Sequence, residues 1–173
     1  MNNQVYNFYP NPLYVIGATS NALLSTNFNF FSATISGFAV SIGGNYSIQL
    51  SNPSNSGKTL YFYKASFSNS GASVGMAITF IKNGSFSQAG TSVTPINTNF
   101  SSTATNSVAT VKHGAFTASG GSTIISTLQS TAIYTELVDS IIAMPPNTTL
   151  VLQIYNGLLS AQTVSTNIFW YEI

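Results

Sequence analysis

The stretch that decides the fold class is Thr59-Leu60-Tyr61-Phe62-Tyr63-Lys64-Ala65-Ser66-Phe67. Aromatic residues dominate it, and these favour the pleated surface of a β-strand. Apolar side chains alternate with Tyr61, Tyr63 and Lys64, although the alternation is imperfect, as in a strand with both faces partly covered. The stretch follows the turn signal Ser51-Asn52-Pro53. We therefore predict a long β-strand here.

Similar segments, separated by Gly, Pro and Asn, recur at the short spacing that is typical of a β-sandwich or barrel. We predict strands at residues 5–9, 13–18, 27–32, 36–42, 46–50, 59–67, 75–81, 91–97, 107–111, 123–128, 133–143, 150–155 and 164–173. The pair Asn83-Gly84 predicts a two-residue type I′ hairpin turn. Residues 131–143 come nearest to helical spacing, and a short helix is the alternative there. About ten strands without an internal repeat predict an all-β, two-sheet, jelly-roll-like sandwich.

The domain organisation follows from the two ends of the chain. The segment Val5-Tyr6-Asn7-Phe8-Tyr9 is aromatic and uncharged, and Pro10 and Pro12 close it. We predict that residues 1–12 form an extended N-terminal arm, in which Val5, Tyr6, Phe8 and Tyr9 make the contacts, and that residues 13–173 form one sandwich domain. An arm docked on a neighbouring subunit and an arm paired within its own domain are the two alternatives. The C-terminal run Ile168–Ile173 predicts a strand buried inside a sheet.

The composition excludes several functions. The 173 residues are 44% hydrophobic but only 4% charged, with a net charge of +1, whereas a typical soluble domain is roughly 25% charged. Four basic residues cannot form the electrostatic footprint of a nucleic-acid-binding surface. No cysteine and a single histidine leave no zinc ligand set, and no apolar run reaches the roughly 18 residues of a membrane span. We expect no metal, no cofactor and no membrane insertion.

The residues that resemble catalytic motifs do not form one. Ser56-Gly57-Lys58-Thr59 is similar to the end of a phosphate-binding loop, but Asn52 stands where that motif needs its first glycine, and a strand follows instead of a helix. His113 and Asp139 could be combined with many serines, yet no nucleophile-elbow sequence occurs. Glu136 and Asp139, three residues apart on a strand, point to opposite faces. We predict that the protein is not an enzyme.

The aromatic residues suggest a binding surface. Tyr61 and Tyr63 share one face of the predicted strand, so they are the candidate surface-binding aromatics, and stacking on a sugar ring would make the chain a lectin-like module. The alternative is that the aromatic residues fill the core and pair across strands. Trp170 lies in a run that predicts core.

The surface is nearly neutral, because 64 of the 173 residues are Ser, Thr or Asn. Low net charge promotes association, and edge strands normally carry charges that prevent edge-to-edge pairing. A chain that lacks such charges either aggregates or places its edges in a specific assembly. We therefore predict that the partner of this protein is itself, as a homopolymer or a closed homo-oligomer.

Two further stretches are similar to segments of phage and spore-surface β proteins: residues 52–61 followed by Thr94-Pro95-Ile96-Asn97, and the segment Pro145-Pro146-Asn147-Thr148-Thr149-Leu150 before a terminal aromatic strand. With the short arm and the Ser/Thr/Asn-rich β body, the chain resembles the self-assembling jelly-roll subunits of bacterial endospore appendages. The resemblance covers about half of the chain. It departs in one respect, because those subunits lock the arm to the body with cysteines and this sequence has none.

The resemblance implies donor-strand exchange, in which the arm of one subunit fills a groove in the next. The N-terminal residues Met1-Asn2-Asn3-Gln4-Val5-Tyr6 contain no basic region followed by an apolar stretch, so we expect no signal peptide. An extracellular fibre, appendage or spore-surface layer is the expected setting. A phage capsid, tail or fibre protein and a lectin-like module are the alternatives.

Overall fold

The computed structural model describes residues 29–70, 75–86, 88–100, 106–128 and 142–173, together with the backbone of residues 135–137. The predicted arm, including Val5, Tyr6, Phe8 and Tyr9, lies outside the described residues, as do the predicted strands at 5–9 and 13–18. The described residues contain twelve strands: β1 (Asn29–Val40), β2 (Asn45–Asn52), β3 (Leu60–Asn69), β4 (Met76–Lys82), β5 (Thr91–Val93), β6 (Ile96–Asn97), β7 (Thr110–Gly114), β8 (Ser122–Leu128), β9 (Thr135–Leu137), β10 (Ile142–Met144), β11 (Thr148–Asn156) and β12 (Gln162–Glu172).

The strands form two antiparallel sheets. Sheet 1 has the order β10-β3-β12-β1-β6, and β9 lies along the same edge of β3 as β10. Sheet 2 has the order β5-β7-β2-β11-β4-β8. The segment predicted as one strand at 133–143 is therefore an edge with two short strands. The prediction of an all-β, two-sheet sandwich is confirmed.

The connectivity is that of an eight-stranded jelly roll. Its four-stranded halves are β1, β12, β3 and the β9–β10 edge in sheet 1, and β2, β11, β4 and β8 in sheet 2. In chain order, β1 to β4 alternate between sheet 1 and sheet 2. The next strand of the jelly roll, β8, pairs with β4 in sheet 2, and then the β9–β10 edge, β11 and β12 alternate between the sheets again. This is the double Greek-key order. The chain between β4 and β8 is an insertion, whose strands β5 and β7 widen sheet 2 and whose β6 widens sheet 1.

The core lies between the two sheets and is built by alternation along the strands. The inward side chains of β1, β3 and β12 in sheet 1 meet those of β2, β4 and β11 in sheet 2. The largest fully buried side chain is Trp170 on β12, which stacks on Phe31 of β1 at a ring-centroid distance of 6.0 Å. The prediction that the C-terminal run is a buried strand is confirmed, since β12 lies between β1 and β3.

Two predicted strands in the first part of the chain are one strand. The predictions at 27–32 and 36–42 merge into β1, whose register against β12 shifts between Ile35 and Phe38. Gly37 lies in that shift with φ of 68°, a conformation that L side chains rarely adopt. The bulge lets β1 continue past a glycine that resembles a turn signal in the sequence.

Two predictions in the insertion are wrong in detail. The strand predicted at 91–97 is divided at Thr94-Pro95 into β5 and β6, which belong to different sheets. Proline has no N–H to donate to a β-ladder, so the chain changes sheet there. The strand predicted at 107–111 begins later, at Thr110, because Ser107 and the Val108 N–H donate hydrogen bonds to the Glu172 carboxylate instead.

The predicted type I′ hairpin at Asn83-Gly84 is also wrong. Asn83 has φ of 55°, but Gly84 is not in the left-handed region that the second position of this turn needs. The strand before it, β4, pairs with β11 and β8 rather than with the next strand in the chain. The Asn83 N–H donates to Thr149 O at 2.8 Å, so the turn is fastened to β11.

Candidate functional site

Five aromatic side chains form a cluster on the outer face of sheet 1, and we call it the aromatic face. Its members lie on three neighbouring strands: Phe30 on β1, Tyr61 and Tyr63 on β3, and Phe169 and Tyr171 on β12. Tyr61 and Tyr171 stack with ring centroids 4.9 Å apart and an interplanar angle of 7°. Phe30 packs edge-on against Tyr63 at 5.9 Å and stacks on Phe169 at 6.3 Å. The aromatic face therefore contains two groups of rings, the Tyr61–Tyr171 pair and Phe30 with Tyr63 and Phe169.

A β-bulge sets the orientation of Tyr63. In the pairing of β3 with β12, Phe169 lies opposite Lys64 and Trp170 opposite Phe62, so Tyr63 is an extra residue. Both Tyr63 and Lys64 are half-buried, between the fully buried Phe62 and Ala65. The bulge explains the imperfect alternation in the sequence of β3, because it points two consecutive side chains, Tyr63 and Lys64, away from the core.

The aromatic face is a shallow surface rather than an enclosed pocket. Phe30, Tyr63, Lys64 and Phe169 line a depression of about 200 Å³. Burial raises the pKa of the Tyr171 hydroxyl, and the neighbouring Tyr61 adds to that shift. The Tyr171 phenol therefore stays neutral at physiological pH. A neutral aromatic surface of this kind suits contact with another apolar or hydroxylated surface.

Beyond the aromatic face, polar, uncharged side chains on β1, β3 and β12 line the middle of the outer side of sheet 1. Thr34 Oγ1 on β1 donates to Asn167 Oδ1 on β12 at 2.7 Å. Asn167 Nδ2 donates in turn to Ser66 Oγ on β3 at 3.4 Å. These bonds link three strands across the face. Hydroxyl and amide groups can form hydrogen bonds across an interface without the desolvation cost of buried ions.

The outer face of sheet 2 is covered by the chain's own insertion. Ser85 and Ser119 form a β-bridge, and the rings of Phe86 and Phe116 pack at 5.1 Å. The Ser47 hydroxyl donates to Phe116 O at 2.8 Å. As a result, Val151, which points outward from β11, is fully buried. The two outer faces thus differ. Ser47 and Val151 of sheet 2 are fully buried. On the aromatic face only Tyr171 is buried, at 6% exposure, and the other four rings are half-buried.

The lysine of the phosphate-loop-like stretch has a structural role. Lys58 Nζ lies 3.4 Å from Glu172 Oε2, in an ion pair in which the Glu172 side chain is fully buried. The same carboxylate accepts hydrogen bonds from the Ser107 hydroxyl, from the Val108 N–H at 3.1 Å and from Trp170 Nε1 at 3.3 Å. This cluster fastens the loop before β3 and the segment before β7 to the end of β12. The predicted strand after the loop, β3, is confirmed.

The single histidine lies at the end of β7. His113 Nδ1 and the Tyr46 hydroxyl share a hydrogen bond, and Tyr46 stacks on Phe38 with centroids 3.8 Å apart. Burial lowers the pKa of His113. Asp139 lies outside the described residues, and only the backbone of Glu136 is described. Within the described part of the chain no group of three or more His, Cys, Asp or Glu could hold a metal ion.

Of the residues predicted for a site, the structure brings together Tyr61 and Tyr63, which do lie on one face of β3. Sequence reasoning missed Phe30, Phe169 and Tyr171. The signal was present in the C-terminal run, where Phe169 and Tyr171 alternate with the core residues Ile168 and Trp170. That run was interpreted as core throughout, although a central strand of a two-layer sandwich still presents every second side chain to the outside.

The fold and the aromatic face define the class of this protein as a jelly-roll β-sandwich with an aromatic cluster on the outer face of one sheet. Comparison with known proteins adds nothing to that class, since no family model and no curated protein matches the chain. No helix in the described ranges is long and apolar enough to cross a lipid bilayer.

Proposed function

We propose that the protein is a non-catalytic structural subunit that associates with copies of itself, and that the aromatic face is the contact surface. The observation that supports this most is the difference between the two outer faces. On the outer side of sheet 2, Ser47 and Val151 are fully buried beneath residues 84–86 and 116–119, whereas four of the five rings of the aromatic face keep part of their surface exposed. Contiguous exposed apolar patches on soluble proteins mark interaction sites.

The chemistry of the aromatic face fits a protein–protein contact. Interface cores are enriched in Tyr, Phe and Trp and depleted of charged residues. Lys64 is the single charged side chain that lines the depression on this face. A contact dominated by aromatic burial and neutral hydrogen bonds has few charges for salt to screen, so its affinity should change little with ionic strength.

The edges of sheet 2 are also free of the usual protection against pairing. The outer strand β8 has the sequence STIISTL, contains no charged residue and pairs with β4 alone among the described strands. Ile124 and Leu128 on this strand are exposed. Natural edge strands normally carry lysine or another charge that prevents edge-to-edge association. An uncharged edge strand such as β8 favours association with another chain, so it fits an assembly subunit better than a monomer.

The arm remains part of the proposal. The described sandwich begins at Asn29, next to Phe30 of the aromatic face, so residues 1–28 join the domain at this patch. In the proposed assembly Val5, Tyr6, Phe8 and Tyr9 contact a neighbouring subunit. An extracellular fibre, appendage or spore-surface layer is the proposed setting. A virion structural protein is the second candidate, because viral capsid proteins use the same jelly-roll architecture.

The test is sedimentation velocity and negative-stain electron microscopy of wild type, Phe169→Lys and a chain lacking residues 1–12. Loss of a central aromatic contact typically costs 2 kcal/mol or more, which is about a 30-fold weaker self-association. We expect Phe169→Lys to shift wild-type oligomers or filaments to monomers. Tyr155→Lys is the matched control, because Tyr155 is an exposed aromatic residue on sheet 2.

Each result separates the parts of the proposal. Association lost in Phe169→Lys and retained in Tyr155→Lys supports the aromatic face. Association lost on removal of residues 1–12 supports the arm as well, and its retention restricts the contact to the sandwich. A wild-type chain that stays monomeric at high concentration contradicts self-assembly. In that case a glycan array with Tyr61→Ala as its control tests the lectin alternative.

A further inference from the structure

A cleft of about 400 Å³ opens at one edge of the sandwich, away from the aromatic face. It lies where β10 of sheet 1 faces β4, β8 and β11 of sheet 2. The buried side chains of Met144 and Leu150 are in its lining, together with the more exposed Ile124 and Ile142. This volume is within the range of pockets that bind small molecules, which are mostly apolar with a few polar groups.

An irregularity of β8 places Ile124 at this cleft. In the pairing with β4, Phe80 lies opposite Ile125 and Ile81 opposite Thr123, so Ile124 is an unpaired bulge residue. Bulges of this kind redirect a side chain and occur frequently at edges next to functional sites. Because Ile124 is the bulge residue, its apolar side chain departs from the regular alternation of β8 and forms one wall of the cleft.

The cleft contains one charged side chain. Lys82, at the end of β4, is exposed and lines the cleft. The one ion pair among the described residues joins Lys58 to Glu172, so Lys82 has no carboxylate partner there. The nearby hydroxyls are already used, since Thr148 Oγ1 donates to Pro145 O and Thr149 Oγ1 donates to Gly84 O, both at 2.6 Å. A bound molecule would therefore meet an apolar surface, the Asn83 amide and a single cation.

We propose that this cleft binds a small amphiphile with one carboxylate and an unbranched apolar chain, such as a medium-chain fatty acid. The apolar chain contacts Ile124, Ile142 and Met144, and the carboxylate pairs with the Lys82 ammonium. The proposal does not depend on association through the aromatic face, because the cleft uses none of the residues of that face.

The experiment is a titration of the full chain with decanoate, followed by NMR of the methyl groups of Ile124, Ile142 and Met144. Decanol is the neutral probe of the same chain length, and both are used below the concentration at which they aggregate. An ion pair with an exposed lysine corresponds to a change in affinity of at most about fivefold. We expect decanoate to bind about two- to fivefold more tightly than decanol, and Lys82→Met to abolish that difference.

Lys112→Met is the control, since Lys112 is an exposed lysine on β7 of the same sheet, outside the cleft. It should leave the affinity for decanoate unchanged. Because Lys82 is exposed, Lys82→Met is expected to fold, and an unchanged urea midpoint verifies this. Equal binding of decanol and decanoate, an equal effect of Lys112→Met, or no change in the three methyl signals would each overturn the proposal.

Discussion

Among the charged side chains that the structure describes, Glu172 should cause the largest destabilisation of the sandwich when it is replaced with alanine. The carboxylate is fully buried and holds four donors: Lys58 Nζ at 3.4 Å, the Val108 N–H, the Ser107 hydroxyl and Trp170 Nε1. Removing one partner of a buried, hydrogen-bonded ion pair costs about 3–5 kcal/mol. Lys58 is 30% exposed, so water can solvate the ammonium that is left behind, and we expect a value near the lower end.

A second variant separates charge from shape. Glu172→Gln keeps the volume and one acceptor oxygen but loses the charge, and hydrogen bonds to charged groups contribute about 1.5–3 kcal/mol. The expected loss is therefore smaller than for Glu172→Ala. Lys112→Ala removes an exposed charge and is the control, with an expected effect within about 0.5 kcal/mol.

The assay is urea unfolding followed by tryptophan fluorescence. Trp170 is the single tryptophan of the chain and donates to the same carboxylate, so its emission reports this cluster directly. Hydrogen exchange of the Val108 amide adds a local measurement, and its protection should fall in both Glu172 variants. A loss below about 1 kcal/mol in Glu172→Ala, or an unchanged Val108 amide, would refute the reasoning.

Two further predictions concern pH and backbone. Burial lowers the pKa of His113, so below about pH 6.5 the unfolded chain takes up a proton more readily than the folded one. The free energy of unfolding should therefore fall as the pH decreases through that value and level off below the native pKa, and His113→Gln should remove this dependence. Gly121→Ala should cost more than about 2 kcal/mol, because φ is +72° and the new Cβ would lie 2.4 Å from Lys82 O. Gly120→Ala, with φ of +66° and no atom within 4 Å, should cost only about 1 kcal/mol in the same urea assay.

The sequence predicted the body of the sandwich because its strands obey the two-residue period. The segments that became β2, β3, β4, β8, β11 and β12 were located to within about two residues at each end, which is the usual spread of strand boundaries. In these strands burial on one face and polar residues on the other agree with local β-propensity. Tyr61 and Tyr63 were found for the same reason.

The errors occur where a long-range contact overrides the local pattern. Asn83-Gly84 is a strong hairpin signal, but β4 is bound on both sides by β11 and β8, so a hairpin with the next segment is excluded. The segment 107–111 is shifted because Ser107 and Val108 bind Glu172, which is 64 or more residues away. Such contacts have no periodic signature in the sequence.

The aromatic face was only partly predicted because it is assembled from three strands. Phe30, Tyr61 and Tyr171 come from β1, β3 and β12, and they become neighbours only when β12 inserts between the other two. Tyr171 lies one residue from Trp170, and alternation alone does not tell which of the two points to the core. On β3 the bulge at Tyr63 determines which side chains point outward, and this bulge also depends on the pairing with β12.

The central claim, self-association through the aromatic face, is tested most directly by distances between subunits. The chain has no cysteine, so a single spin label can be attached at Thr34→Cys on the outer side of sheet 1 or at Ser126→Cys on the outer side of sheet 2. The two sheets of one subunit lie about 10 Å apart. If two subunits meet through sheet 1, the Ser126 labels are therefore separated by two additional sheet spacings, one from each copy, compared with the Thr34 labels. Double electron–electron resonance should therefore give an inter-subunit distance at Thr34 that is at least about 20 Å shorter than at Ser126. Equal distances, a shorter distance at Ser126, or no dipolar coupling at either site would contradict the account.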